Sequence, residues 1–185
     1  MSVLRANLLA GRRIAISGTL GQTLSEALLE LDAEFEMLKV EQLPAEEERV
    51  GEWARARAPL TALVHCAAGS FGDGGGVGLD GALEEAWAVV REVATGALIE
   101  SRQPGKVVLV APRPEAGPLA GATRAGLENL ARTLSVEWAR HGLTAVAIAP
   151  GPDTTSEQLA LLVCFVVSEA GDYLSGCQLE LGAVR

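Results

Sequence analysis

The chain has 185 residues, the length of one ordinary domain. Because 49% of the residues are hydrophobic and only 4% are aromatic, we expect an aliphatic core, as in helices packed on a buried parallel sheet. The formal net charge of -9 argues against a nucleic-acid or anionic-membrane surface, since phosphate groups would be repelled.

Three cysteines, Cys66, Cys164 and Cys177, lie among apolar residues and show neither metal-ligand spacing nor a disulfide pattern. We interpret them as reduced, buried thiols and predict no metal site. Arginines interrupt the N-terminal apolar run, so the sequence predicts no signal peptide. The longest apolar run, residues 159–167, is too short to span a bilayer. We therefore expect a cytoplasmic protein.

Strands and helices alternate along the predicted chain. In chain order we predict a strand at 12–17, a helix at 23–34, a strand at 35–40, a helix at 44–58, a strand at 60–66, a loop at 69–81, a helix at 83–101, a strand at 106–111, a helix at 120–141, a strand at 143–149, a helix from 156 to about 170 and a strand at 178–181.

Two of these assignments depend on particular residues. Residues 69–81 contain seven glycines, which predict a mobile loop. Thr155 and Gln158 form a plausible capping box at the start of the last helix. The alternation of strands and helices predicts a single Rossmann-type domain over residues 1–185, a doubly wound parallel sheet of about six strands with helices on both faces.

Four segments resemble the short-chain dehydrogenase/reductase family. LLAGRRIAISG resembles its first strand, and LTALVHCAAG resembles its fourth strand with the Asn-Asn-Ala-Gly turn. AGLENLARTLSVEWARHGLTAVAIAPG resembles the helix and strand after the catalytic tyrosine, and VCFVVSEAGDYLSGCQLELGA resembles the C-terminal helix and last strand. The resemblance implies a fold that binds NAD or NADP at the carboxyl edge of the sheet.

The family's catalytic groups are a serine, a tyrosine and a lysine, the last two in the pattern Tyr-x-x-x-Lys. Matching the family's KAGLE to RAGLE in this chain places the lysine at Arg124 and the tyrosine at Ala120, and the serine position falls near Ala111 and Pro112. The chain's single tyrosine, Tyr173, has no lysine four residues later. The resemblance therefore implies a catalytically degenerate member without the family's proton donor.

The cofactor loop also departs from the family pattern Thr-Gly-x-x-x-Gly-x-Gly. In SGTLGQTL, Gly18 and Gly21 match two glycines, but the loop is one residue short and Thr23 replaces the third glycine. The two glycines alone are a weak signal for a cofactor, and a tight strand-to-helix turn explains them better. The resemblance also implies two deletions. One is a helix–strand unit that carries the ribose-selecting residue, and the other is the substrate lid. We expect no cofactor in this chain, and NAD or NADP in a partner subunit.

Other polar residues each allow two interpretations. His65 and His141 could act as an acid/base pair, or could simply end a strand and a helix. Asp153, Thr154 and Thr155 could bind a phosphate or a metal, or could cap the following helix.

The remaining candidates concern partners. In the family, the two helices that match 83–101 and 120–141 form a four-helix interface between subunits. The resemblance implies interface positions at Trp87, Ala131, Ser135 and Trp138, with core packing as the alternative for the tryptophans. We expect a non-catalytic subunit that pairs with an intact family member or with itself, and not with nucleic acid or membranes. The alternatives are an active oxidoreductase with substitute residues and a small-molecule sensor.

Overall fold

The computed structural model describes residues 4–19, 22–40, 47–72 and 74–182. The strands are β1 (Arg13–Gly18), β2 (Glu34–Leu38), β3 (Ala62–Cys66), β4 (Gly105–Val110), β5 (Leu143–Pro150) and β6 (Cys177–Leu181). The helices are α1 (Gln22–Glu30), α2 (Glu47–Arg57), α3 (Ala68–Phe71), α4 (Gly76–Val93), α5 (Ala120–Glu137) and α6 (Ser156–Val167). The predicted start of α2, at residue 44, lies outside the described residues.

The six strands form one parallel sheet in the order β2-β1-β3-β4-β5-β6. Helices α1 and α6 pack on one face, and α2, α4 and α5 pack on the other, so that each face has its own hydrophobic cluster. The predicted doubly wound architecture with about six strands is confirmed.

Burial on both faces explains why the central strands are almost entirely apolar. Every residue of β3 and of β4 is buried, whereas the edge strands β2 and β6 are partly exposed. Each fully buried Leu or Val contributes about 1.5–3 kcal/mol relative to an exposed one. Polar residues within β3 and β4 therefore need a specific explanation.

The prediction of a mobile loop over residues 69–81 is wrong. Helix α3 already begins at Ala68, and α4 begins at Gly76. The fully buried Phe71 anchors α3 in the core. A Cβ on Gly78 would lie 2.0 Å from the carbonyl oxygen of Phe71. At least one glycine of this stretch thus allows α3 and α4 to approach closely.

Two helix ends also carry details that affect the rest of the fold. Helix α4 continues into a π-helical turn, Ala94–Leu98, that packs against α2. The capping box at the start of α6 is confirmed, since the Thr155 hydroxyl accepts from the Gln158 backbone N–H and the Gln158 side chain accepts from the Thr155 N–H. Within the described ranges, no helix is long and apolar enough to cross a membrane.

The three cysteines are free thiols with different exposure. Cys66 and Cys164 are buried, as predicted, but Cys177 on the edge strand β6 is only half-buried. Burial raises the pKa of the Cys66 thiol and raises that of Cys164 to about 12. Both thiols therefore stay protonated near neutral pH and are poor nucleophiles.

Candidate functional site

The candidate site lies at the carboxyl edge of the sheet, where β1, β3, β4 and β5 end side by side. In doubly wound folds this edge is where ligands bind. The residues that follow these strands must therefore supply any chemistry, and the positions inferred from the sequence fall here.

Gly18 ends β1 with a positive φ of 78°. A Cβ on this residue would lie 2.1 Å from the carbonyl oxygen of Cys66, at the end of the neighbouring strand β3. The close approach of the ends of β1 and β3 thus requires glycine, whether or not a phosphate binds nearby. Gly21, the other glycine inferred for cofactor binding, lies outside the described residues.

A serine–histidine pair lies beside Gly18 but is sealed from solvent. The Ser17 hydroxyl and the His65 Nδ1 are 2.7 Å apart on adjacent strands, and both side chains are fully buried. Burial lowers the pKa of His65 to about 4, so its imidazole is neutral near pH 7. No hydrogen-bond partner of its Nε2 is found among the described residues.

The structure separates His65 from His141, which excludes the alternative that they act as an acid/base pair. His65 lies near the carboxyl end of β3, whereas His141 ends the turn that precedes β5. These positions are at opposite edges of the sheet. A half-buried His141 beside Arg140 is consistent with the simpler interpretation of a residue at a helix end.

Arg124, at the position inferred for the family's lysine, binds backbone carbonyls through its guanidinium. Nη1 of Arg124 donates to the carbonyl oxygens of Pro112 and Pro150, at 3.1 Å and 2.7 Å. Nη2 lies 3.8 Å from the Glu180 carboxylate, and the side chain is only 14% exposed. Ala120, at the tyrosine position, is fully buried in the core. Arg124 therefore ties together the ends of β4, β5 and β6.

A second arginine reinforces the same edge and was missed by the sequence reasoning. Arg113, directly after Pro112, donates to the carbonyl oxygens of Gly151, Pro152 and Thr154 in the turn after β5. The sequence feature that could have indicated Arg113 is a charged residue between two prolines, immediately after a buried strand. Its partners could not be inferred, because they lie some forty residues away in the sequence.

The turn between β5 and α6 uses its polar groups internally. The Thr154 hydroxyl accepts from the Gly151 N–H and donates to the Leu181 carbonyl oxygen. Thr155 caps α6. The capping interpretation is thus confirmed for Thr155, whereas Thr154 links the turn to the end of β6. Across the described part of the chain, no group of three His, Cys, Asp or Glu residues could hold a metal ion.

The chain's tyrosine and its buried lysine lie far from this edge. Lys106 is the second residue of β4, at the amino edge, and its ammonium group contacts Asp172 at 2.7 Å. Tyr173 follows Asp172 and is 77% exposed. These residues are therefore unable to replace the family's dyad at the carboxyl edge.

The four inferred interface residues have different surroundings. Trp87 on α4 is 40% exposed, and the Arg91 guanidinium lies 5.8 Å from its ring centre. Trp138 is half-buried against the core, and Ser135 packs against Gly176 in the turn before β6. Ala131 is fully buried, so its inferred place at an interface is wrong. Ala131 lies on the same stripe of α5 as Leu127 and Leu134, and this stripe faces the sheet.

Comparisons with solved structures define the class of fold. A citronellol catabolism dehydrogenase of Pseudomonas aeruginosa superposes with a TM-score of 0.78 at 19% identity, over 99% of this chain and 98% of that one. The RhlG/NADP complex of Pseudomonas aeruginosa gives 0.77 at 18%, over 98% and 99%. A hydroxysteroid dehydrogenase of Escherichia coli gives 0.75 at 15%, over 97% and 99%. The chain thus has the short-chain dehydrogenase/reductase fold.

Similarity in sequence covers a much smaller part of the chain than similarity in structure. A 50-residue segment is 42% identical to an uncharacterized oxidoreductase of Caenorhabditis elegans. That segment is 27% of this chain and spans only 16% of the length of the relative. No family model matches the chain.

Proposed function

We propose that this chain is a non-catalytic subunit with a short-chain dehydrogenase/reductase fold, which pairs with a catalytically intact relative in an oxidoreductase assembly. The observation that carries the proposal is the bonding of Arg124 to the carbonyls of Pro112 and Pro150. This guanidinium donates hydrogen bonds to the chain's own backbone carbonyls at the position where the family has its lysine.

The second support is the absence of a hydroxyl at the tyrosine position. Ala120 offers only a methyl group, and that group is buried. Positioned acid–base groups contribute roughly 10²–10⁴-fold to rate. The buried, neutral His65 does not replace the missing group, because a substrate cannot reach it.

Two features of the described residues weigh against a nicotinamide dinucleotide in this chain. Helix α1 begins at Gln22 with Thr23 in its first turn, where the family has its third glycine. The arginine at the ribose-holding position is engaged by Pro112 and Pro150. We therefore place any NAD or NADP in the partner, in line with the NADP bound by the RhlG neighbour.

The surface proposed for the partner is the outer side of α4 and α5. Trp87 supplies a large, partly exposed aromatic group there, and Val136 on α5 is also exposed. Aromatic residues of this kind commonly anchor subunit contacts. Small residues such as Ala122 and Ala125 line the exposed side of α5 and allow a close helix–helix approach.

The test is co-expression with a catalytically intact relative from the same organism, followed by mass determination of the purified species by light scattering. We expect a stable hetero-oligomer that Trp87→Asp dissociates. Tyr173→Asp, which changes an exposed aromatic residue elsewhere, is the matched control and leaves the complex intact.

Two results would contradict the proposal. One is a monomer at tens of micromolar, both alone and with every intact relative tried. The other is a homo-oligomer that never exchanges subunits with an intact relative, which would favour self-association instead.

A further inference from the structure

A cavity of about 420 Å³ opens at the amino edge of the sheet, at the opposite end of the strands from the candidate functional site. Its charged lining residues are Arg12, Lys106, Glu169 and Asp172, and Thr61 and Gln103 complete its polar wall. The volume lies within the range of roughly 300–1,000 Å³ that is typical of small-molecule sites.

Arg12 is the side chain whose bonding is incomplete. It is only 18% exposed, yet its sole polar side-chain contact among the described residues is an ion pair with Glu169 at 3.6 Å. That distance is too long for a hydrogen bond. A guanidinium carries five N–H donors, and no Arg12 nitrogen is among the buried atoms without a partner, so water reaches those that lack a protein acceptor. The donors of Arg12 are therefore available to a molecule in the cavity.

Lys106 adds positive charge to the same cavity but has no free donor. Its Nζ donates to the carbonyl oxygens of Val166 and Ser168, at 2.9 Å and 2.6 Å, and contacts the Asp172 carboxylate at 2.7 Å. The nearby Arg12 is one of the causes that lower the pKa of Lys106, after burial. The two cations are thus close enough to repel each other.

The acidic residues lie nearer the mouth of the cavity than the two cations do. The Glu169 carboxylate is 85% exposed and the Asp172 carboxylate is 59% exposed, whereas both cations are largely buried. Positive charge therefore lies in the interior and negative charge lies at the mouth. The exposed Glu169 is held by one long ion pair, which is worth little in water.

We propose that this cavity binds the oxyanion of a small molecule, a carboxylate or a phosphate, through the guanidinium of Arg12. The planar fork of arginine donors matches both kinds of oxyanion. In this arrangement Glu169 competes with the ligand for Arg12, and Lys106 contributes attraction without direct bonding. The site is independent of the proposed function, since it shares no residue with the carboxyl edge or the α4–α5 surface.

The experiment is a titration of the ¹⁵N-labelled chain with inorganic phosphate and, separately, with succinate, at constant ionic strength. The Arg12 Nε–Hε signal is followed by NMR. We expect a saturable shift of this signal with at least one of the two probes. Arg12→Gln should weaken binding about tenfold or more, as measured by the backbone signals of Gly11 and Thr61. Glu169→Gln should tighten binding a few-fold, because it removes the competitor.

Arg132 and Glu128 provide the matched controls, since they form an ion pair of the same chemistry on α5, away from the cavity. Arg132→Gln and Glu128→Gln should leave the affinity unchanged. Shifts that never saturate with either probe would overturn the proposal. So would equal binding by the wild type and Arg12→Gln, or weaker binding by Glu169→Gln. A phosphate response without a succinate response would identify the ligand class as a phosphate, and the reverse would identify it as a carboxylate.

Discussion

Nη1 of Arg124 lies 2.7 Å from the carbonyl oxygen of Pro150, the last residue of β5. The same nitrogen donates to Pro112, just beyond β4. One side chain thus replaces, at the end of two neighbouring strands, the hydrogen bonds that water or a ligand would otherwise make. The carboxyl edge of this chain is held together by its own arginine.

The first prediction concerns this arginine. Arg124→Ala should lower the free energy of unfolding by about 2 kcal/mol, because it leaves the two carbonyls without their charged donor. Arg124→Lys should recover only part of the lost free energy. A lysine ammonium group retains the charge but can reach fewer acceptors at once than a guanidinium. Urea unfolding measures the effect. The matched control Arg132→Ala, at an exposed site, should stay within about 0.5 kcal/mol of the wild type. Equal stability of the two alanine variants would contradict the role assigned to Arg124.

The second prediction concerns two glycines. Gly18→Ala should destabilise the chain by about 3 kcal/mol or more, because it combines a positive φ with a Cβ that would lie 2.1 Å from the Cys66 oxygen. Gly121 in α5 has nothing within 4 Å of an added Cβ, so Gly121→Ala should stabilise the chain by about 0.5 kcal/mol. Thermal unfolding followed by circular dichroism compares the two. Tolerance of alanine at position 18 would contradict the close approach of Gly18 to Cys66 at the ends of β1 and β3.

The third prediction is a pH dependence caused by His65. Its pKa falls from 6.5 to about 4 on folding, so between these values the unfolded chain binds a proton that the folded chain does not. Stability should therefore be fully present above about pH 6.5 and decrease as the pH falls towards 4, by about 3 kcal/mol in total.

The measurement is urea unfolding at several pH values for the wild type and for His65→Asn, which removes the titrating group. The difference in unfolding free energy between the wild type and His65→Asn should change between about pH 6.5 and pH 4. His141→Asn, at the opposite edge, should follow the wild type. A wild-type curve parallel to that of His65→Asn would contradict the assignment of a buried neutral imidazole.

Much of the fold follows from local pattern. The apolar runs that became β3 and β4 are buried on both faces, which is why their position was predictable within one or two residues. The capping box of Thr155 and Gln158 was also predictable, because both partners lie within one helical turn. The glycines within residues 69–81 led to the wrong prediction of a loop, since the close approach of Gly78 in α4 to Phe71 in α3 is a tertiary contact.

The candidate site was less predictable for the same reason. Sequence alone showed that Arg124 stands where a lysine is expected, but its acceptors at Pro112 and Pro150 are brought together only by the sheet. The burial of Ala131 depends on which stripe of α5 faces the sheet, and several stripes of that helix are apolar or small. The incomplete bonding of Arg12 likewise depends on the distant position of Glu169.

The central claim is that this chain does not itself hold the dinucleotide, and the most direct measurement is titration calorimetry of the purified chain with NADPH and with NADH. An intact relative of the same fold, titrated in the same buffer, is the positive control. We expect no saturable heat for this chain with either cofactor up to millimolar concentration, because Thr23 stands where the family has its third glycine and Arg124 is engaged by backbone carbonyls. A dissociation constant in the low micromolar range for either cofactor would contradict the account.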